Sequence, residues 1–268
     1  MQSRRIWTSV FTLTLVLSFG IGLLIYAPTS VLLHITQQYW TGLSARNASG
    51  LWWKGEIQTL SWRNQHLKKL HWQLNWPDLL QGNIAIIIKI NHQGATVEAT
   101  LNWPWNKAAI DILDLKATVP IDQLTPQIKP DYPLLPATGI ITINLNHGRL
   151  PLAQMAWPAH GMTLAHVELM QPATFSSSEI NLPPYLSLGR LDGFIIGLPE
   201  QSGYQLNLHN NGGNLAFTGQ LTLFKGQLNH DYTLTPTVQT PDATRLWLEL
   251  LRPQHIDGGY RFSGQYNW

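Results

Sequence analysis

Beyond Gly50 apolar residues recur at every second position, most plainly in Leu70, Trp72, Leu74 and Trp76, which alternate with His71, Gln73 and Asn75. That period predicts strands with one apolar and one polar face. It returns at Ile84 to Ile90, Val97 to Trp103, Ile141 to Leu145, Tyr204 to Leu208, Leu215 to Leu223 and Tyr260 to Trp268. The body is therefore expected to be mainly β, an antiparallel, twisted sheet or sheets with one or two short helices. Parity slips between Ile110, Ile112 and the later Leu113, Leu115, Ala117 and Val119, and a bulge near Ile112 would keep the apolar set on one face. Turn chemistry at 91–94, 146–148, 199–203, 210–213 and 225–226 is short enough for hairpins, so meanders are expected. Five prolines between Pro120 and Pro136 predict an irregular connection at 120–136, with Ile121, Leu124, Ile128, Leu134 and Leu135 available to dock it. Near the end, Thr240 is expected to cap a helix starting at Pro241, running through Leu246, Trp247, Leu250 and Leu251 to Pro253 and packing on the sheet.

The amino-terminal pattern is different. Residues 6–26 are 21 positions without a charge, and about 20 apolar residues cross the hydrocarbon core as a helix. A cleaved secretory leader has a shorter apolar region ending in small residues, whereas this run ends in Leu24, Ile25 and Tyr26, so an uncleaved anchor is preferred. Arg4 and Arg5 precede it and the next basic residue is Arg46, which leaves tail 1–5 in the cytoplasm and everything after Tyr26 outside. Trp7 and Tyr26 fall at the two interfaces, and Ser18 with Gly22 forms a small-residue pair that another helix can approach. Leu32, Ile35 and Tyr39 predict a helix over 29–40, within a juxtamembrane helix and linker at 27–49. The β-rich domain then occupies 50–268.

Composition narrows the chemistry. Charged residues are 12% of the chain, apolar residues 44%, and there are 12 tryptophans and no cysteine. Thiol catalysis, cysteine zinc sites and iron–sulfur clusters are thereby excluded. Without Arg4 and Arg5 the chain carries 15 basic and 15 acidic residues, a balance that argues against nucleic acid. The histidines lack metal-ligand spacing, and there is no G-x-S-x-G elbow and no phosphate loop. Scattered carboxylates form no recognisable pair. No catalytic, cofactor-binding or metal-binding residue is assigned, and no enzyme is expected. Seven tryptophans lie between Trp52 and Trp105. Such rings pack a sheet face, or they line a groove for a lipid chain or protein segment; Trp53, Trp72, Leu74, Trp76 and Trp103 mark that possible face.

Three stretches carry a resemblance. Gly50, Leu51, Trp52, Trp53, Lys54, Gly55 resembles the G-x-L-W-x-G segment after the anchor in the type II secretion system protein N family. Leu70, Trp72, Leu74, Trp76, Pro77, Leu79, Leu80, Gly82, Ile84 resembles the segment that follows, with one extra residue before Pro77. Leu250 and Leu251, then Gly258, Gly259, Tyr260 and Gly264, are similar to the closing strand of that family. The resemblance implies an accessory inner-membrane subunit with a periplasmic body, whose partners are other subunits of the platform that exports folded proteins across the outer membrane. It brings no catalytic residue or cofactor. AsmA-like envelope proteins, which begin with an anchor followed by short sheets, are the nearest rival and imply membrane lipid as ligand. An outer-membrane barrel, suggested by the alternating Tyr260, Phe262, Tyr266 and Trp268, and an envelope enzyme acting on glycan are weaker alternatives.

Overall fold

The computed structural model describes Leu15, Ser18, Phe19, Gly22 and residues 25–39, 42–62, 65–123, 137–152, 167–182, 186–198, 203–224, 227–250 and 253–267. Most of the expected anchor lies outside the described residues. Leu15, Ser18, Phe19, Gly22, Ile25 and Tyr26 are helical, and among the described residues no helix is long and apolar enough to cross a membrane. The chain divides into two compact units, Met1–Asn75 with Ile86–Gln93, and Trp76–Ala85 with Gly94–Trp268.

In the first unit, helix α1 (Thr29–Tyr39) precedes β1 (Leu43–Leu51), β2 (Lys54–Trp62) and β3 (Gln65–Asn75), and the unit also takes β4 (Asn83–His92) from Ile86 onward. Helix α1 covers 29–39 of the expected 29–40, and residue 40 lies outside the described residues. The strand period begins at Leu43, earlier than the change read at Gly50, so the segment expected as linker contributes an edge strand. Ala48, Ile57 and Leu70 share one rung, and Ile57 with Leu74 is buried. Asn47 and Lys69 take left-handed φ values of 54° and 50°. Each local twist places two adjacent residues outward, Arg46 with Asn47 and Lys68 with Lys69.

The second unit opens with a short helix, α2 (Trp76–Leu80), and continues through β5 (Ala95–Pro104), β6 (Ala109–Pro120), β7 (Ile140–Pro151), β8 (Glu168–Leu169), β9 (Ala173–Leu182), β10 (Leu186–Leu198), β11 (Gly203–Asn211), β12 (Leu215–Phe224), β13 (Gln227–Pro236), helix α3 (Asp242–Leu250), β14 (Gln254–Ile256) and β15 (Gly259–Asn267). The order is sequential to β13, apart from β8, which pairs with the end of β7; then come β15 and finally β14. The predicted bulge exists, two residues later than expected: the β5–β6 register shifts between Glu98 and Thr100, and Asp114 has φ 50°. It keeps Ile110 and Ile112 on the face of Leu115, where they pack with Ala99 and Leu150. Left-handed backbone at Gln93, Gly94, Gly212 and Gly213 matches the turns read at 91–94 and 210–213; residues 199–202 and 225–226 lie outside the described residues.

Three expectations are corrected or limited. Asn146–Gly148 is no turn; it lies within β7. Gly148 is there for close packing, since a Cβ on it would lie 2.9 Å from Leu145 Cδ2 and 3.2 Å from Val167 Cγ1. Thr240 does not cap α3: its hydroxyl accepts from the Thr237 N–H at 2.7 Å and donates to the Asn214 carbonyl. The Pro241 carbonyl instead accepts from Thr244 and Arg245. Helix α3 does pack on the sheet, but through Leu248, which is 0% exposed, while Leu246 is 64% and Leu250 78% exposed. Of the proline-rich connection, Ile121–Gln123 forms a single 3-10 turn and Ile121 packs beside Phe175, Ile180, Leu191 and Leu208; residues 124–136 lie outside the described residues.

On the polar face of β6, Asp111 is buried and faces Arg149 Nε at 3.1 Å, His147 Nε2 at 3.4 Å and Lys107 Nζ at 3.8 Å. Burial, the largest single influence, pushes its carboxyl upward, but the hydrogen bonds from Arg149 and His147 and the charges of Arg149 and Lys107 together hold it below the ordinary carboxylate range. A carboxyl depressed in the folded state stabilises above its unfolded value and loses that contribution as pH falls through the folded value. Asp111→Asn is expected to lower stability by about 1–2 kcal/mol at neutral pH and to flatten the acid limb of a urea-unfolding series.

Candidate functional site

Two constellations stand out, one in each unit. The first is built by the Gly50–Gly55 segment, which turns β1 into β2 and fastens the chain emerging from the expected anchor. Pro28 forbids continuation of the helix at Ile25 and Tyr26, so the Ile25 carbonyl is left without a helical partner. The Trp53 indole N–H donates to it at 2.9 Å. The Ala27 carbonyl accepts from the Trp52 N–H at 3.1 Å, Pro28 bridges to Leu51, and the buried Thr29 hydroxyl donates to the Ser49 carbonyl at 3.3 Å. From the neighbouring strand the Trp72 indole donates to the Trp52 carbonyl at 2.8 Å, and the Leu74 N–H to the Trp53 carbonyl at 2.7 Å.

The glycines make this approach possible. A Cβ on Gly55 would lie 2.6 Å from Trp72 Cζ2, 2.7 Å from the Ser49 carbonyl oxygen and 2.8 Å from Thr29 Oγ1. Gly50 has φ +93°, and a Cβ on it would lie only 2.6 Å from the Lys54 carbonyl oxygen. Segment 25–29 is thus clasped onto the first hairpin by the Trp53 indole and by backbone groups of Ser49, Leu51 and Trp52.

The second constellation lies on the apolar face of β12, β13 and β15. Cross-strand register places Gly219 opposite Tyr232 and Tyr232 opposite Phe262, with His230 opposite Gly264 and Leu228 opposite Tyr266. Tyr232 and Phe262 stack with centroids 5.1 Å apart, His230 and Tyr266 stack at 5.4 Å, and Phe217 lies 5.8 Å from Tyr232. Gly264 gives His230 room: a Cβ there would lie 2.5 Å from His230 Cε1. Burial pushes the His230 pKa down, against the smaller pull of Asp231, and so favours the neutral ring. Tyr266 is 49% exposed.

A model of the family described as type II secretion system (T2SS), protein N matches residues 41–263. The chain belongs to that family. The type II secretion system protein N of Pectobacterium carotovorum subsp. carotovorum is 25% identical over 222 residues, covering 78% of this chain and 82% of that relative. No solved structure matches significantly.

Within this chain the residues picked out by resemblance separate cleanly. Gly50, Gly55, Trp53, Trp72 and Leu74 meet at the clasp, and the N–H groups of both indoles bond to backbone. Trp76 opens α2 with Pro77 beside it, and Gly82, at φ +82°, accepts the Trp105 N–H at 3.1 Å. Trp103 belongs to the second unit, where its indole donates to the Lys107 carbonyl at 3.2 Å and 38% of it stays exposed. Gly259 lets β15 start against β13, its absent Cβ falling 2.9 Å from the Leu234 carbonyl oxygen. The row Phe217, Tyr232, His230, Tyr266 was not singled out from the sequence. Its signal was present, since Phe217, Tyr232 and Phe262 each sit on the apolar parity of an alternating run. Among the described residues no group of three His, Cys, Asp or Glu side chains is placed to hold a metal.

Proposed function

We propose that this subunit is a non-enzymatic docking component of the secretion apparatus, anchored by residues 6–26 in the inner membrane with its amino terminus in the cytoplasm and its β-rich body in the periplasm. Family membership makes it a component of type II secretion, and other components of that system are its partners. The observation that supports a docking role is the aromatic row at the end of the second unit. Strand β14 is the last in the order and pairs only with Gly259, Tyr260 and Arg261 of β15, leaving Phe262 beyond its reach. An extended partner segment adding there would gain backbone hydrogen bonds and lay apolar side chains on Phe262 and Tyr266.

Co-purification of the full chain from detergent with subunits of the inner-membrane platform tests the proposal. Phe262→Ala and Tyr266→Ala together are expected to reduce the recovered partner by about tenfold, as loss of an aromatic anchor does. Unchanged recovery, or normal export after deletion of the whole chain, counts against docking. Stoichiometric phospholipid released from the purified chain, with no subunit attached, supports the lipid-carrier reading instead.

A further inference from the structure

The near-neutral balance of the chain conceals a strong local asymmetry. After the apolar run, residues 27–75 and 86–93 contain Arg46, Lys54, Arg63, Lys68, Lys69 and Lys89 against Glu56 alone. In the first unit, four of these cations share one face. Arg46, Thr59 and Lys68 form one rung across β1, β2 and β3, and the left-handed residues Asn47 and Lys69 turn a second neighbour outward beside Arg46 and Lys68. Lys54, two strand positions from Glu56, is exposed on the same side. Glu56 is occupied elsewhere: it accepts from Ser49 Oγ at 3.4 Å and Gln58 Nε2 at 3.2 Å, and faces His71 Nδ1 at 3.3 Å. Among the described residues none of Arg46, Lys54, Lys68 and Lys69 forms an ion pair. The opposite face of the same strands carries Ile57, Gly55 and Trp72, where Thr29 at the start of α1 docks.

We infer that this outward face of β1–β3 binds the anionic headgroups of the phospholipid bilayer in which residues 6–26 are embedded. The proposal rests on the anchored reading and goes beyond it. The clasp fixes where the face sits: Trp53 bonds the carbonyl of Ile25, the penultimate residue of the expected anchor 6–26. The hairpin turn therefore lies at headgroup level, with two tryptophans suited to that interface. Lys54 adjoins that turn and Arg46, Lys68 and Lys69 follow about 15–20 Å along the strands, so the four meet the surface together when the hairpin lies along the bilayer; each cation within about a Debye length of it favours an anionic over a neutral surface by about fivefold. A flexible stalk would let the face wander; segment 25–29, clasped to the sheet, does not.

The absence of cysteine allows a single reporter. The full chain carrying Gln58→Cys, at the centre of the basic face, is labelled with a fluorophore and reconstituted into nanodiscs containing a headgroup-nitroxide lipid. The discs are phosphatidylcholine alone or mixed with phosphatidylglycerol. A second reporter, Val238→Cys, sits at a fully exposed position of the second unit. Quenching at position 58 is expected to rise several-fold with phosphatidylglycerol and to fall with added salt. It is expected to vanish when Arg46, Lys54, Lys68 and Lys69 are all changed to Gln, while the reporter at 238 does not respond.

Equal quenching in the two disc types, or phosphatidylglycerol-dependent quenching that survives the fourfold change, overturns the inference. Salt-sensitive shielding of the label that needs an added secretion subunit, in discs lacking phosphatidylglycerol, assigns the face to a protein and also overturns it. Failure of the anchored reading is seen separately, as a chain that alkaline carbonate strips from the membrane.

Discussion

Gly55→Ala is expected to destabilise the first unit by about 2–3 kcal/mol, and Gly55→Val by more, because the new atoms have nowhere to go. The three neighbours of the missing Cβ are a tryptophan ring held by its own hydrogen bond, a strand carbonyl and a buried threonine. None is the far end of a flexible side chain. Relief requires either Trp72 to leave the Trp52 carbonyl or Thr29 to leave Ser49, and each movement opens part of the clasp. Urea unfolding followed by tryptophan emission measures the loss. Limited proteolysis between Tyr26 and Leu43 separates clasp opening from general destabilisation: Gly55→Ala is expected to expose that segment well before the sheet unfolds. A variant that keeps native stability and native resistance there would show that the close approach of Gly55 to Thr29 and Trp72 is not needed.

The same junction shows which features of the fold were legible in the sequence. Strands with one half-buried face advertise themselves by alternation, and β3, β4, β5, β11, β12 and β15 were readable for that reason. The bulge in β6 was readable too, because Ile110, Ile112 and Leu115 cannot share a face without one. Glycine was the ambiguous letter. At Gly212 and Gly213 it marks left-handed backbone in a turn, whereas at Gly148 and Gly55 it marks space for a side chain arriving from a distant part of the chain. Sequence alone cannot separate the two uses, so Asn146–Gly148 read as a turn and lies within a strand. Thr240 misled similarly: its hydroxyl oxygen accepts from the Thr237 N–H and its proton goes to the Asn214 carbonyl, in place of capping the N–H groups of the helix it precedes.

The tryptophans were correctly weighted as informative, yet what Trp53 and Trp72 do depends on indole N–H groups meeting carbonyls at positions 25 and 52. Those partners are 28 and 20 residues away, beyond any periodicity. The basic face of the first unit was legible in principle and was averaged away by summing charge over the whole chain.

In the second unit, Leu248→Ala is expected to lower stability by about 2–5 kcal/mol, the range for emptying a fully buried leucine site. Leu248 and Leu215 are both 0% exposed and pack with Leu234 and Tyr260, against which Phe217, Tyr232 and Phe262 lean. Among the described residues of helix α3, Leu248 and Thr244 are buried, so Leu248 covers the end of the β12–β13–β15 face, while Leu246 stays 64% exposed as an internal control. Leu246→Ala is expected to change stability by less than about 0.5 kcal/mol. The two substitutions delete the same atoms from the same helix, so helix propensity cancels between them and the difference reports burial alone. Because Leu234 pairs with Tyr260 at the start of β15, the cavity left by Leu248→Ala lies under the rung that sets the register of the closing strand. Loss of that rung is expected to loosen the stacked Tyr232–Phe262 pair and weaken recovery of secretion subunits together with stability, whereas Leu246→Ala leaves both intact. Equal effects of the two changes would mean that α3 is not seated on the sheet through Leu248.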